Sequence, residues 1–215
     1  MNKLTLISIA ICFSFLIGCG PSENEDFFSD DDFAKDQFVK EVTPQEKIDQ
    51  YKQILEIDPD DYQIRNNLGV VYAKLKLFDE AIAEFQKVME LKPEYTTVWL
   101  NMGSTYGDMG NLDEAIKCYL KAIELNPGYV KVYQNLGVAY FQKKQYKEAI
   151  EGFEKFVELN NGQADESTFF SLAESYKEID DRQNTVKYYN KILKMNPNNE
   201  YVRKELEKLT QQDNE

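Results

Sequence analysis

Apolar residues recur along most of this chain at helical spacing. Trp99, Met102 and Tyr106 stand at i, i+3 and i+7, one stripe of a helix predicted over 97–109. A second stretch, 112–125, puts Ala115, Tyr119 and Ala122 at i, i+4 and i+7 and is predicted as its partner. Gly110–Asn111 marks the turn between the two. Asn126–Pro127 marks the stop after the second, because proline disfavours helix in the residue before it. The pair is then written again. Gly103 has counterparts at Gly69 and Gly137, Tyr106 at Tyr72 and Tyr140, and Ala115 at Ala81 and Ala149, each 34 residues apart. Self-similarity at a fixed period predicts a stack of helical hairpins, since one hairpin cannot bury its apolar face alone. Glycine inside a helix costs roughly 1 kcal/mol, so Gly103 and its copies predict a close helix crossing. Ala115 and Ala122 are expected opposite it, with Tyr119 filling the groove alongside.

Read in order, the hairpins are predicted over 62–93, 96–127, 130–161 and, after a two-residue slip, 166–197. With their linkers the units run 62–95, 96–129, 130–163 and 166–197. The third carries Asn161 where its neighbours have proline, and the fourth replaces apolar and small positions with Arg182 and Thr185. Ahead of them, 43–59 reads as a half-repeat. Thr43 is its N-cap, Pro44 its first helical residue and Glu46 the return arm of a capping box, followed by a stripe of Ile48, Tyr51, Ile54 and Leu55. A short helix is also read over 33–40. At the far end, 198–210 holds a final helix with Tyr201, Val202, Leu206 and Leu209 on one side. Arg203, Lys204, Glu205 and Lys208 are expected to face away, as the last layer of a stacked array requires.

These columns resemble the tetratricopeptide repeat (TPR) family. The resemblance rests on Trp99, Met102–Gly103, Tyr106, Ala115, Tyr119, Ala122 and Pro127, on Leu68–Gly69, Tyr72, Ala81, Phe85 and Pro93, and on Leu136–Gly137, Tyr140, Ala149 and Phe153. It implies an all-α, right-handed superhelical solenoid of helical hairpins with a C-terminal capping helix. It also implies a concave surface, built by the first helix of each hairpin, that binds an extended peptide or a partner helix. Carried over residue by residue, that surface takes Gln63, Asn66, Val70 and Lys74, then Thr97, Leu100, Ser104 and Asp108, then Lys131, Gln134, Val138, Phe141 and Gln142, then Phe170, Glu174 and Glu178. Asn67, Asn101 and Asn135 form one column, similar to the asparagine ladder of some TPR superhelices, where side-chain amides pair with a ligand backbone. The alternative for the same column is a local hydrogen bond between helices, copied by duplication. The family's chaperone-tail clamp is matched only by Lys131; the other basic groups it needs are missing.

The first 18 residues do not fit the helical array. Lys3 and an apolar run over 4–17 read as a secretory leader, too short for a spanning helix. The run ends in Leu16-Ile17-Gly18-Cys19, which resembles a bacterial lipobox. The resemblance implies cleavage before Cys19 and its acylation, hence an anchor in the lipid bilayer of a bacterial cell envelope. With Gly20 next, it points to the outer membrane in a two-membrane cell. Residues 19–42 then read as a lipidated cysteine and an acidic tether, its Asp30-Asp31-Asp32 run either a spacer or a sorting signal.

Composition narrows the chemistry. The net charge is −13, which repels phosphate backbones, disfavours nucleic acid and steers in partners of basic character. The chain has no histidine, which removes imidazole acid–base work and histidine metal sites. Cys118 is the one cysteine left after the leader and the lipid site, so no disulfide forms within a mature chain. The carboxylate pairs Asp79–Glu80 and Asp113–Glu114 repeat at 34 residues, at helix starts where acids favour the helix dipole. No catalytic residue, metal or cofactor is assigned. The expected function is a membrane-anchored protein-interaction scaffold for an envelope assembly such as a pilus, secretion or outer-membrane machine. A carboxylate-dependent envelope hydrolase, or an accessory subunit of one, is the alternative.

Overall fold

The structure, a computed structural model, describes residues 42–211. Among them are ten helices and no strand: α1 (Pro44–Ile57), α2 (Tyr62–Lys74), α3 (Phe78–Leu91), α4 (Thr96–Asp108), α5 (Leu112–Leu125), α6 (Val130–Gln142), α7 (Tyr146–Leu159), α8 (Glu166–Glu178), α9 (Arg182–Met195) and α10 (Glu200–Gln211). The leader, Cys19, the tether and the helix read over 33–40 lie outside the described residues. α4 runs one residue earlier at each end than the spacing predicts, and the slip before α8 is present. No helix among the described residues is long and apolar enough to cross a membrane.

The caps show why the helices start where they do. The Thr43 hydroxyl accepts from the Glu46 N–H at 3.2 Å, and the Glu46 carboxylate accepts from the Thr43 N–H at 2.9 Å. That is the capping box expected from the sequence, with Pro44 at the first position. Asp61, Asp165 and Asp181 cap α2, α8 and α9 through their carboxylates. Acids fill the first turns of α3 and α5.

Each hairpin closes by the same backbone device. The N–H groups of Leu77, Asn111, Gln145 and Asp181 donate to the carbonyls of Tyr72, Tyr106, Tyr140 and Tyr176 at 2.8–2.9 Å, a Schellman-type closure of the first helix. The residue before each donor is left-handed: Lys76 (φ 61°), Gly110 (φ 79°), Lys144 (φ 59°) and Asp180 (φ 60°). Between hairpins, a side chain reaches back to the loop six residues earlier. Arg65, Trp99, Tyr133 and Arg203 donate to the carbonyls of Pro59, Pro93, Pro127 and Pro197 at 2.5–3.3 Å. In the slipped loop this position is Phe169, which has no donor, and the Gln163 carbonyl takes the Asn160 side-chain N–H instead, at 2.9 Å.

Packing follows chain order: each helix lies against its neighbours in sequence. The first helices also touch one another, α2 with α4, α4 with α6 and α6 with α8, while no pair of second helices does so among the described residues. The first helices therefore form the inner side of the stack and the second helices the outer side. The core runs through the array, from Ala81, Phe85, Val88 and Val98, through Ala115, Tyr119 and Ala122, to Leu172, Tyr189, Ile192 and Val202. The recurring glycines are explained differently from the expectation. A Cβ on Gly103 would stand 2.6 Å from the Tyr119 ring, and Gly69 and Gly137 stand under Phe85 and Phe153 in the same way. The aromatic ring of the second helix, rather than Ala115 or Ala122, occupies the space a side chain would need.

Two further expectations change. In α1 only Ile48 of the apolar stripe is buried, and Ile54 is exposed. In α10, Glu205 does not face away: its carboxylate pairs with Lys177 of α8 at 2.7 Å. Arg203, Lys204 and Lys208 are exposed, as expected.

Candidate binding groove

The inner face is where the family resemblance places a ligand, and its side chains divide into committed and open groups. The amides are largely committed. Asn101 Nδ2 donates to Asn66 Oδ1 at 2.9 Å, linking α4 to α2. Asn135 Nδ2 donates to Ser104 Oγ at 3.1 Å, linking α6 to α4. Gln134 Nε2 donates to Thr168 Oγ1 at 2.9 Å and to Asp165 Oδ2 at 3.3 Å, linking α6 to α8. A line of polar bonds thus runs between successive first helices. Asn67, at the start of the column, has no first helix before it among the described residues and is exposed.

Two residues assigned to the open surface are withdrawn from it. Asn66 is 4% exposed and Leu100 is 5% exposed, because α2 turns Asn66 toward Asn101 of α4 and α4 turns Leu100 toward α5 and α6 rather than the groove. Lys131 is exposed at the start of α6. Phe141 and Phe170 are half-buried: Phe141 lies edge-on to Tyr146 at 5.9 Å, and Phe170 lies against Tyr201 of α10 at 5.7 Å. Glu174 receives the Tyr189 hydroxyl and lies 3.7 Å from Lys177.

What remains open is a run of hollows between the carboxyl-terminal halves of α2, α4 and α6. One of about 170 Å³ lies between α2 and α4, bordered by Val70, Lys74, Ser104 and Asp108, with Phe85 among its lining residues. The next, of about 210 Å³, lies between α4 and α6, bordered by Ser104, Asp108, Asn135, Val138 and Gln142, with Tyr119 lining it. Ser104 and Asp108 belong to both. The sequence placed Val70, Lys74, Ser104, Asp108, Val138 and Gln142 on this surface. It missed Phe85 and Tyr119; their spacing opposite Gly69 and Gly103 was the available signal.

Electrostatics beyond the groove is structural. The hydroxyls of Tyr176 and Tyr188 both donate to Glu154 Oε1, at 2.7 and 3.1 Å, and the two rings stack at 5.7 Å. Burial and the carboxylate they bond hold both phenols well above the ordinary tyrosine range, and Tyr189 behaves likewise beside Glu174. Burial also pushes the Cys118 thiol up to about 12, the opposite of what a nucleophile needs. Of the carboxylate pairs, Asp113 takes the Lys143 ammonium, whose hydrogen bond holds its carboxyl below the usual range.

Comparison with known proteins agrees with this geometry. Family profiles described as TPR repeat or tetratricopeptide repeat match residues 103–144, 130–162, and both 62–95 and 167–199. Together these stretches span more than half of the 215 residues. No curated protein sequence matches the chain. Among solved structures, the MamA protein is 27% identical, with 70% of this chain and 81% of that chain covered at a TM-score of 0.63. YrrB, a TPR protein with an unusual peptide-binding site, is 18% identical, with coverage of 76% and 84% and a TM-score of 0.62. PilF of Pseudomonas aeruginosa is 24% identical, with coverage of 70% and 77% and a TM-score of 0.59. At the identities of YrrB and PilF the likeness bears on the fold alone. Repeats matched in series, stacked as hairpins with their first helices inward, place this chain in the tetratricopeptide-repeat family.

Proposed function

We propose that this protein is a lipid-anchored scaffold of a bacterial cell envelope that holds an extended segment of a partner protein in its inner groove. The observation that carries the reading is the pair of adjoining hollows on the first-helix face, bordered by both apolar and hydrogen-bonding side chains. A segment with side chains at alternating depth fits such a surface, and amides and hydroxyls at the rim suit a peptide backbone. YrrB, of the same fold, has a peptide-binding site, which supports a peptide segment as the class of ligand. The anchor rests on the Leu16-Ile17-Gly18-Cys19 sequence, and the envelope machine is an extension of that. The hydrolase alternative is less supported, because the repeated acids serve helix starts and an ion pair.

Two experiments test the two halves. A photo-crosslinking amino acid at Gln142 or Asn67, in cells, is expected to trap a discrete partner that the same group at Lys117 on the outer face does not. Equal trapping from both faces removes the groove reading. For the anchor, Cys19→Ala is expected to abolish incorporation of labelled palmitate and release the protein from membranes. Persistent labelling removes the lipid reading without touching the groove.

A further inference from the structure

We propose that the hollow between α4 and α6 receives one lysine or arginine side chain of the partner segment, with Asp108 as its counter-charge. The proposal rests on the groove reading and specifies the chemistry of its ligand. Asp108 is the last residue of α4 and is exposed. Among the described residues no ion pair or hydrogen bond engages it, unlike Asp113 and Glu205, which are held by lysines. It borders both hollows and a third beside Lys76. The partial negative charge at the end of α4 adds to its own.

The surrounding charges single out one hollow. Between α2 and α4, Lys74 shares the lining with Asp108, so that side is balanced. Between α4 and α6, Asp108 is the only ionised lining residue; the others are apolar or neutral polar groups. Lys143, which caps the end of α6, is taken by Asp113. The hollow is therefore negative at one rim, with Leu112 and Val138 as apolar walls. Lysine and arginine are built for this: a hydrocarbon stem lies along apolar surface while the charged head meets a carboxylate at the edge. At about 30 Å³ for each non-hydrogen atom, a generous allowance taken from water, about 210 Å³ accommodates either side chain. An acidic ligand in this hollow meets the Asp108 carboxylate with no lysine or arginine in the lining to offset it. The overall charge of −13 favours the approach of the same basic class.

The test uses the ¹⁵N-labelled full chain and four single-residue probes: the N-acetyl methylamides of lysine, arginine, norleucine and glutamate. Lysine and arginine probes are expected to shift the amide signals of Ser104, Gly107, Asn135 and Val138 saturably. Norleucine, with the same stem and no charge, is expected to bind at least fivefold more weakly. Asp108→Asn is expected to weaken the lysine probe at least fivefold and to remove its salt dependence, while Lys74→Gln does not weaken it. Gln142→Lys, which adds a rival cation at the rim, is expected to exclude the lysine probe with the spectrum otherwise intact. Norleucine or glutamate binding at those amides as well as lysine overturns the basic class and leaves the groove reading standing. Lysine binding undiminished in Asp108→Asn overturns the assignment of the counter-charge. No shift at those amides from any probe overturns the pocket itself, and the crosslinking at Gln142 then decides the groove separately.

Discussion

Asn101 shows what a repeated residue type does and does not reveal. Its column was legible because it recurs at 34 residues; its partner was not, because Asn66 belongs to a different column and meets Asn101 only through the stacking of α2 on α4. Asn101→Ala leaves the Asn66 carbonyl oxygen, 4% exposed as a residue, without its donor. The expected loss is about 1–3 kcal/mol of unfolding free energy by urea denaturation. Asn67→Ala, on the exposed first member, is expected within about 0.5 kcal/mol of the parent. Partner affinity measured on the same folded variants separates the two uses of the column: a loss in Asn67→Ala alone speaks for ligand contact at the open end. The glycines behave similarly. Their spacing showed that something comes close, but Ala115, Tyr119 and Ala122 share one stripe of α5, and only the packed helices show that the Tyr119 ring lies over Gly103. Gly103→Ala is expected to cost about 1–3 kcal/mol through overpacking, even after the gain in helix propensity. Gly107→Ala, whose Cβ meets nothing nearer than 3.8 Å, is expected to be neutral or to stabilise by up to about 1 kcal/mol. Thermal melts of the pair check the contrast.

At the scale of the elements, hairpins and their order were readable because apolar periodicity and the 34-residue repeat agree, and because Thr43, Pro44 and Glu46 spell a helix start in local chemistry. The links between hairpins were not readable. Arg65, Trp99, Tyr133 and Arg203 share no side-chain chemistry except an N–H or O–H at the right reach, so no residue column announces the bond to the carbonyl six residues back. The left-handed turn position was half readable: Gly110 signals it, but Lys76, Lys144 and Asp180 occupy the same conformation without signalling it. A non-glycine residue there costs roughly 1–2 kcal/mol, against roughly 0.5–1 kcal/mol for the extra unfolded-state freedom of glycine. Lys144→Gly is therefore expected to stabilise by about 0.5–1 kcal/mol, read as a higher denaturation midpoint at unchanged denaturant slope. A lower midpoint means that the Lys144 side chain contributes more than its backbone conformation costs.

At the scale of the whole array, each hairpin leans only on its neighbours, so stability is a sum of local terms and damage stays local. Alkali bears hardest on one region, although burial also raises the phenols of Tyr106, Tyr119 and Tyr140. The phenols of Tyr176, Tyr188 and Tyr189 keep their protons in the folded state to a higher pH than the ordinary value of about 10. Above that pH the unfolded chain releases protons that the folded chain retains. Stability from these groups is complete below about pH 10 and falls as pH rises past it, so unfolding by alkali is expected to start at α8 and α9. The same hairpin depends on α10. Val202 is fully buried against α9, Leu206 and Leu209 pack beside it, and Glu205 pairs with Lys177 of α8. Ending the chain after Asn199 exposes that apolar face to water and leaves Lys177 without Glu205. Nearest-neighbour stacking then makes a specific demand. Amide hydrogen exchange in α8 and α9 is expected to accelerate by at least tenfold, while α2 to α5, several layers away, stay within about twofold of the parent. A uniform acceleration throughout the chain instead means that the array folds as a single cooperative unit, with α10 stabilising all of it. No acceleration in α9 means that Val202 and its neighbours only cover the face without stabilising it.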